Sequence, residues 1–186
     1  MSNYNELPSN LPVPIDDGAC AHLAGMPLPP VVLPATQGPA VDMAKLTGRC
    51  AIFCYPMTGR PGVALPAGWD DIPGARGCTP QACSFRDNIG RFQSHAVGVF
   101  GLSSQTPAYQ AEMAERLHLP YPVLSDAQLA FASALRLQLF IVDGMTLIKR
   151  LTLMIRDGRI EHVFYPVFPT DQSARQVLDW LDAQSA

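Results

Sequence analysis

Residues 77–87 read Gly77-Cys78-Thr79-Pro80-Gln81-Ala82-Cys83-Ser84-Phe85-Arg86-Asp87. The stretch has the signature of a helix start. Thr79 is a candidate N-cap, Pro80 suits the first helical position, and Ala82, Phe85, Ile89 and Phe92 repeat at helical spacing. Upstream, Arg49 to Tyr55 (RCAIFCY) is a continuous apolar run, as a buried central strand requires. Between strand and helix lie residues 57–75, with Gly59, Pro61, Gly62, Pro66, Gly68, Pro73 and Gly74. Seven breakers in 19 residues predict a long loop, and loops of that length are uncommon unless they serve function. A thiol at a helix N-terminus meets unpaired N–H groups and the positive end of the helix dipole, and both favour its ionised, nucleophilic form. Cys78 has that place, and Cys83 follows one turn later.

Working outward, Ala96 to Leu102 reads as a second buried strand. Thr106-Pro107 opens a helix with Ala111, Ala114 and Leu117 on one face. Pro120 and Pro122 bracket a short strand ending at Leu124, and Asp126 caps a helix using Phe131 and Leu135. Leu151 to Ile155, Asp157-Gly158 and Ile160 to Tyr165 form a hairpin with a two-residue turn. Thr170 caps a last helix with Ala174, Val177, Leu178 and Leu181 on its core stripe. Towards the N-terminus, Val31 to Leu33 is a short strand and Met43 to Leu46 a helical turn. Thirteen of the 18 prolines fall in the first 80 residues, and residues 1–24 read as an extended arm, ordered only if it docks, in which Cys20 is incidental unless an exposed thiol there pairs between chains. The order of elements predicts an α/β fold, a central mixed β-sheet flanked by helices, over residues 25–186.

Composition narrows the function. Hydrophobic residues are 48% and charged residues 16% of 186, so the chain folds rather than remaining a disordered polyelectrolyte. A net charge of −3 argues against nucleic acid or an anionic membrane as partner. No run of 18 apolar residues is present, and Met1 to Asn10 has no secretory pattern. Five cysteines, an odd count, point to free thiols and a cytoplasmic setting.

The segment Gly77 to Asp87 resembles the active-site helix of PrxQ-type peroxiredoxins, the bacterioferritin comigratory proteins. Phe53-Cys54-Tyr55-Pro56, Gly101-Leu102-Ser103-Ser104, Leu119 to Asp126 and Arg150 to Ile155 are similar to other segments of that family, so the resemblance runs from about residue 25 onward. It implies a thioredoxin-like fold and a thiol-dependent peroxidase. Cys78 would be the peroxidatic thiolate that becomes a sulfenic acid, Cys83 the resolving thiol that closes a disulfide with it, and Arg150 the group that stabilises the charge. The substrate would be hydrogen peroxide or a small organic hydroperoxide, the reductant a thioredoxin- or glutaredoxin-like protein, with no metal or organic cofactor; a homodimer is left open.

The family carries Pro-x-x-x-Thr-x-x-Cys. Here Ala75 stands at the threonine position and Asp71 at the proline position, and Pro56 lies 22 residues before Cys78. The 57–75 loop is therefore an insertion. Pro56 and Thr58 are expected to fill the places of the motif, with Thr79 as a rival hydroxyl donor for the peroxide.

Other readings stand beside this one. Cys50 and Cys54 share one face of a strand and are expected to pack. A zinc site from Cys50, Cys54, Cys78 and Cys83 has the wrong spacing for paired knuckles. Arg76 is a rival to Arg150, and Trp69 is either a loop anchor or part of a lid. A disulfide oxidoreductase would favour C-x-x-C over the spacing present. A thioredoxin-fold binding module that has lost catalysis is the remaining alternative.

Overall fold

The computed structural model describes residues 7–184. Residues 1–6, and with them most of the Met1 to Asn10 segment, lie outside that range. In chain order the elements are β1 (Val32–Leu33), β2 (Val41–Asp42), β3 (Arg49–Cys54), α1 (Cys78–Asp87), α2 (Ile89–Ser94), β4 (Val97–Ser103), α3 (Pro107–Arg116) and β5 (Val123–Ser125). They continue with α4 (Ala130–Ala134), β6 (Leu139–Val142), β7 (Met145–Ile148), β8 (Leu151–Arg156), β9 (Arg159–Phe164) and α5 (Ser173–Gln184).

The main sheet has the order β5-β4-β3-β8-β9, with β3 at its centre. β3 runs parallel to β4 and antiparallel to β8, so the sheet is mixed, as predicted. Its faces follow from the two-residue period of a strand. Ala51, Phe53 and Tyr55 pack with α1, α2, α3 and α5 on one side. Cys50, Ile52 and Cys54 pack with α4 and the N-terminal turns on the other. Both faces are covered, which is why β3 reads as an unbroken apolar run. Among the described residues, no helix is long and apolar enough to cross a membrane.

The antiparallel register of β8 positions the site. Cys54, the last residue of β3, pairs with Leu151, the first of β8. Arg150 thus arrives beside the carboxyl end of β3, at the edge where the chain leaves for the loop and α1. Arg150 immediately precedes the strand, which begins at Leu151 as expected.

Four local expectations are corrected. Cys20 is buried at 5% exposure and packs with Leu23 and Cys54, so it is not an exposed thiol. The carboxylates of Asp16 and Asp17 accept from the N–H groups of Gly18 and Ala19, turning the arm inward onto the sheet. The helix of Cys78 begins one residue before its expected cap. Gly77, at φ +101°, is the N-cap, and Gly77 O accepts the first helical bond from Gln81 N at 3.0 Å. Asn88 splits the expected single helix into α1 and α2. Thr170 opens a short 3-10 turn ahead of α5, and its buried hydroxyl makes no hydrogen bond, because it faces Gly77 instead of the helix end. The β6–β7 hairpin had no counterpart in the sequence reading.

Candidate active site

Gly77 explains how Cys78 is placed. A Cβ built on it would lie 2.1 Å from Thr170 Oγ1 and 2.8 Å from Leu7 Cδ2, and its φ is one that L side chains rarely adopt. Only glycine lets the chain turn here against the 3-10 segment and the N-terminal arm, and the helix starts at once with Cys78. Cys78 is 4% exposed. Its Sγ accepts a hydrogen bond from Arg150 Nη2 at 3.1 Å, and its thiol donates to Ala75 O at 3.6 Å.

Arg150 is 3% exposed and fully engaged. Nε donates to Gly74 O at 3.1 Å, and Nη2 also reaches Ala75 O at 3.0 Å and Arg76 O at 3.3 Å. Nη1 donates to Gln81 Oε1. A buried cation needs such partners; here they are three carbonyls, one amide and the sulfur. One guanidinium therefore holds the segment entering α1 and presents positive charge to the thiol. Arg76, the rival, instead pairs through Nη1 with Asp70 at 3.2 Å.

Gln81 escaped the sequence reading. It is fully buried on α1, and its Nε2 donates to Ser173 Oγ at 3.1 Å, so it ties Arg150 to the start of α5. Its position three residues after Cys78 puts both on one side of the helix, and that was the available signal. Gln105 was missed as well. Thr58 N–H and Thr58 Oγ1 both donate to Gln105 Oε1, at 3.0 and 3.2 Å, and Tyr109 Oη donates to Thr58 O at 3.0 Å. The Thr58 hydroxyl proton is thus committed, leaving its oxygen as an acceptor.

Of the predicted site residues, Cys78, Thr58 and Thr79 line one small cavity of about 10 Å³, with Met57, Gly59, Leu65, Trp69, Arg76 and Gly77 completing the wall. Arg150 meets the sulfur from the other side. Pro56 is buried at the end of β3 and is not part of this wall. Cys83 is half-buried on α1, and burial pushes its thiol up, partly opposed by Arg86 and Arg116. Ala75, at the expected threonine position, offers only its carbonyl. Cys50 and Cys54 lie on the opposite face of the sheet, which separates them from Cys78 and disposes of the four-cysteine metal site.

A central mixed sheet, and a buried cysteine opening a helix under an arginine, define a thiol-based oxidoreductase of the thioredoxin-like class. The Redoxin family model matches residues 23–178. The chain is 30% identical over 163 residues to "Peroxiredoxin Bcp" of Escherichia coli strain K12, covering 85% of this chain and 94% of that one. The crystal structure of the peroxidoxin BcpB from Mycobacterium tuberculosis superposes with a TM-score of 0.68 at 27% identity, covering 86% and 96%. The Xanthomonas campestris bacterioferritin comigratory protein, described with an alkyl peroxide reduction activity, shares the fold at 16% identity and a TM-score of 0.66, covering 95% and 100%. The chain belongs to the redoxin family and is a peroxiredoxin of the Bcp/PrxQ kind. It is accordingly a thiol-dependent peroxidase.

Proposed function

We propose that Cys78 is the peroxidatic cysteine, with hydrogen peroxide or a small organic hydroperoxide as its substrate. The observation that carries this is the 3.1 Å contact between Arg150 Nη2 and Cys78 Sγ at the first residue of α1. The Cys78 thiolate attacks one oxygen of the peroxide, and the O–O bond breaks. Cys78 becomes a sulfenic acid, and the other oxygen leaves as water or an alcohol after taking one proton. Arg150 and the helix N-terminus compensate the negative charge throughout. Thr58 Oγ1 accepts from the peroxide hydrogen, and the Thr79 hydroxyl is the available donor.

Cys83 then attacks the sulfenic acid; a disulfide forms and water leaves. α1 is continuous from Cys78 to Asp87. Five residues along a helix put the two Cα atoms roughly 8–9 Å apart, whereas a disulfide requires at most ~6.8 Å. The first turn of α1 therefore unwinds, releasing the Gln81 contacts to Gly77, Arg150 and Ser173. A thioredoxin- or glutaredoxin-type dithiol reduces the disulfide and regenerates both thiols. Three further cysteines kept buried suit a reducing, cytoplasmic compartment.

The test is thiol counting by mass spectrometry after one equivalent of hydrogen peroxide is added to the reduced protein, with peptide mapping. Loss of two thiols and a linked Cys78–Cys83 peptide are expected. In Cys83→Ser, Cys78 is expected to stop at the sulfenic acid, trappable with dimedone. Five unreacted thiols would overturn the assignment.

A further inference from the structure

The insertion is built into the wall of the Cys78 cavity. Met57, Trp69 and Ala75 form with Leu147 a small apolar cluster of their own, with Leu65, Ile72, Phe140 and Val142 packed around it. The rings of Trp69 and Phe140 lie 6.2 Å apart. Trp69 is therefore both anchor and wall. The front of the loop is held by α3: Arg60 stacks 3.9 Å over the Tyr109 ring and pairs with Glu112 at 3.6 Å, and Arg116 Nη2 donates to Gly59 O at 3.3 Å. The back is held by Arg150, through the carbonyls of Gly74 and Ala75. Both ends and the middle of the loop are thus tied to different elements.

The space at the sulfur is small and partly open to solvent. About 10 Å³ gives room for roughly one water-sized molecule. Two roomier cavities lie nearby, of about 320 and 460 Å³, and neither is lined by Cys78. The first borders Gly74 and Arg150 on the other side of the segment that enters α1; the second borders Met57 and Gln105. Among the described residues, neither of these two roomier cavities reaches the sulfur.

We propose that the 57–75 insertion is a steric filter, with Trp69 and Leu65 as specificity-determining residues, that admits hydrogen peroxide to Cys78 and excludes bulky organic hydroperoxides. The proposal rests on the peroxidase reading above and narrows its substrate. Hydrogen peroxide is little larger than water and needs only a small breathing of the wall. Cumene hydroperoxide carries a phenyl ring, and seating its peroxide group at the sulfur requires Trp69 to leave its cluster.

The experiment measures the rate constants for oxidation of Cys78 by hydrogen peroxide and by cumene hydroperoxide, using rapid alkylation quench and mass spectrometry. In the natural chain, hydrogen peroxide is expected to react faster by on the order of 10²-fold. Trp69→Ala and Leu65→Ala are each expected to shrink that ratio at least about tenfold, through a faster reaction with the bulky peroxide. Leu65 is only half-buried, so its variant carries the test should Trp69→Ala fail to fold. A ratio near one in the natural chain, or a ratio that no folded variant moves, overturns the filter and leaves the peroxidase reading intact. No oxidation by either peroxide overturns the peroxidase reading, and the filter with it.

Discussion

Cys54 and Cys78 sit on opposite faces of one sheet, both almost without solvent contact, and their surroundings differ in two respects. Cys54 packs among Leu23, Leu102, Leu124 and Leu151, and among the described residues no cation acts on its thiol. Burial pushes its thiol far up, with Asp126 adding to the effect. Cys50, two residues earlier on the same face, is pushed up to about 12 by burial alone. Cys78 is buried as deeply but opens a helix and receives Arg150 at 3.1 Å. Burial makes a thiol inert when nothing replaces the lost water. It leaves room for chemistry when a fixed cation and a helix end take water's place.

The comparison is broken most directly by exchanging atoms at the two sites. Cys78→Ser is expected to lower peroxide turnover by about 10³-fold or more, since a serine hydroxyl is not ionised near neutral pH. Cys54→Ala should keep the activity and lose stability only, on the order of 1 kcal/mol for a small cavity. A peroxide-consumption assay and a denaturant titration check both, and comparable activity losses would refute the contrast.

Removing the cation comes next. Arg150→Met removes the donor shared by Gln81 Oε1 and the carbonyls of Gly74, Ala75 and Arg76, besides uncovering the sulfur. A rate loss on the order of 10²–10³ is expected, with destabilisation of roughly 1–3 kcal/mol. Arg150→Lys should recover part of the rate and little of the stability, because an ammonium cannot fork among five acceptors. Equal rates for both variants would show that the charge does nothing at Cys78.

Gly77→Ala sharpens the geometric half of the comparison. Positive φ alone costs about 1–2 kcal/mol, and the overlap with Thr170 Oγ1 adds to it. The expected result is a lower melting temperature and a slower peroxide reaction. Thr170→Gly in the same chain should recover part of both by making room for the methyl group.

The smallest effect concerns the inert thiols. Cys20 is pushed up to about 11 and Cys50 to about 12, mainly by burial, from an ordinary value of 9.0. In the folded protein they stay protonated where unfolded chains begin to ionise. Their contribution to stability is therefore complete below about pH 9 and declines as pH rises from there through the folded values. Iodoacetamide at pH 8 should leave Cys20, Cys50 and Cys54 unlabelled until denaturant is added. Labelling of Cys54 as fast as Cys78 would remove the distinction between the two faces.

Much of this was legible before any coordinates. The unbroken apolar run of Arg49 to Tyr55, the Asp157-Gly158 turn and the stripe of the last helix are local patterns, and local patterns determine local structure. The pair Cys78 and Cys83 was legible for the same reason, because five residues on one helix have a fixed relation. Thr79 was misread as a cap because nothing in its neighbours announces that Gly77 must turn at φ +101°, a demand set by Thr170 some 90 residues away.

The sequence by itself determined the class of fold and marked Cys78 as a thiol at a helix start, since hydrophobic period and helix-start chemistry act over a few residues. The tertiary structure alone decided which arginine meets the sulfur, because antiparallel pairing of β8 with β3 brings Arg150 there while Arg76, two residues from Cys78, turns to Asp70. It alone decided that Gln81 links Arg150 to Ser173, that Gln105 holds Thr58, and that the 57–75 loop folds over the thiol instead of away from it. Each of these is a contact between residues distant in the chain. Such contacts are selected by what the whole core can bury and pair at once, and no short stretch of sequence carries that information.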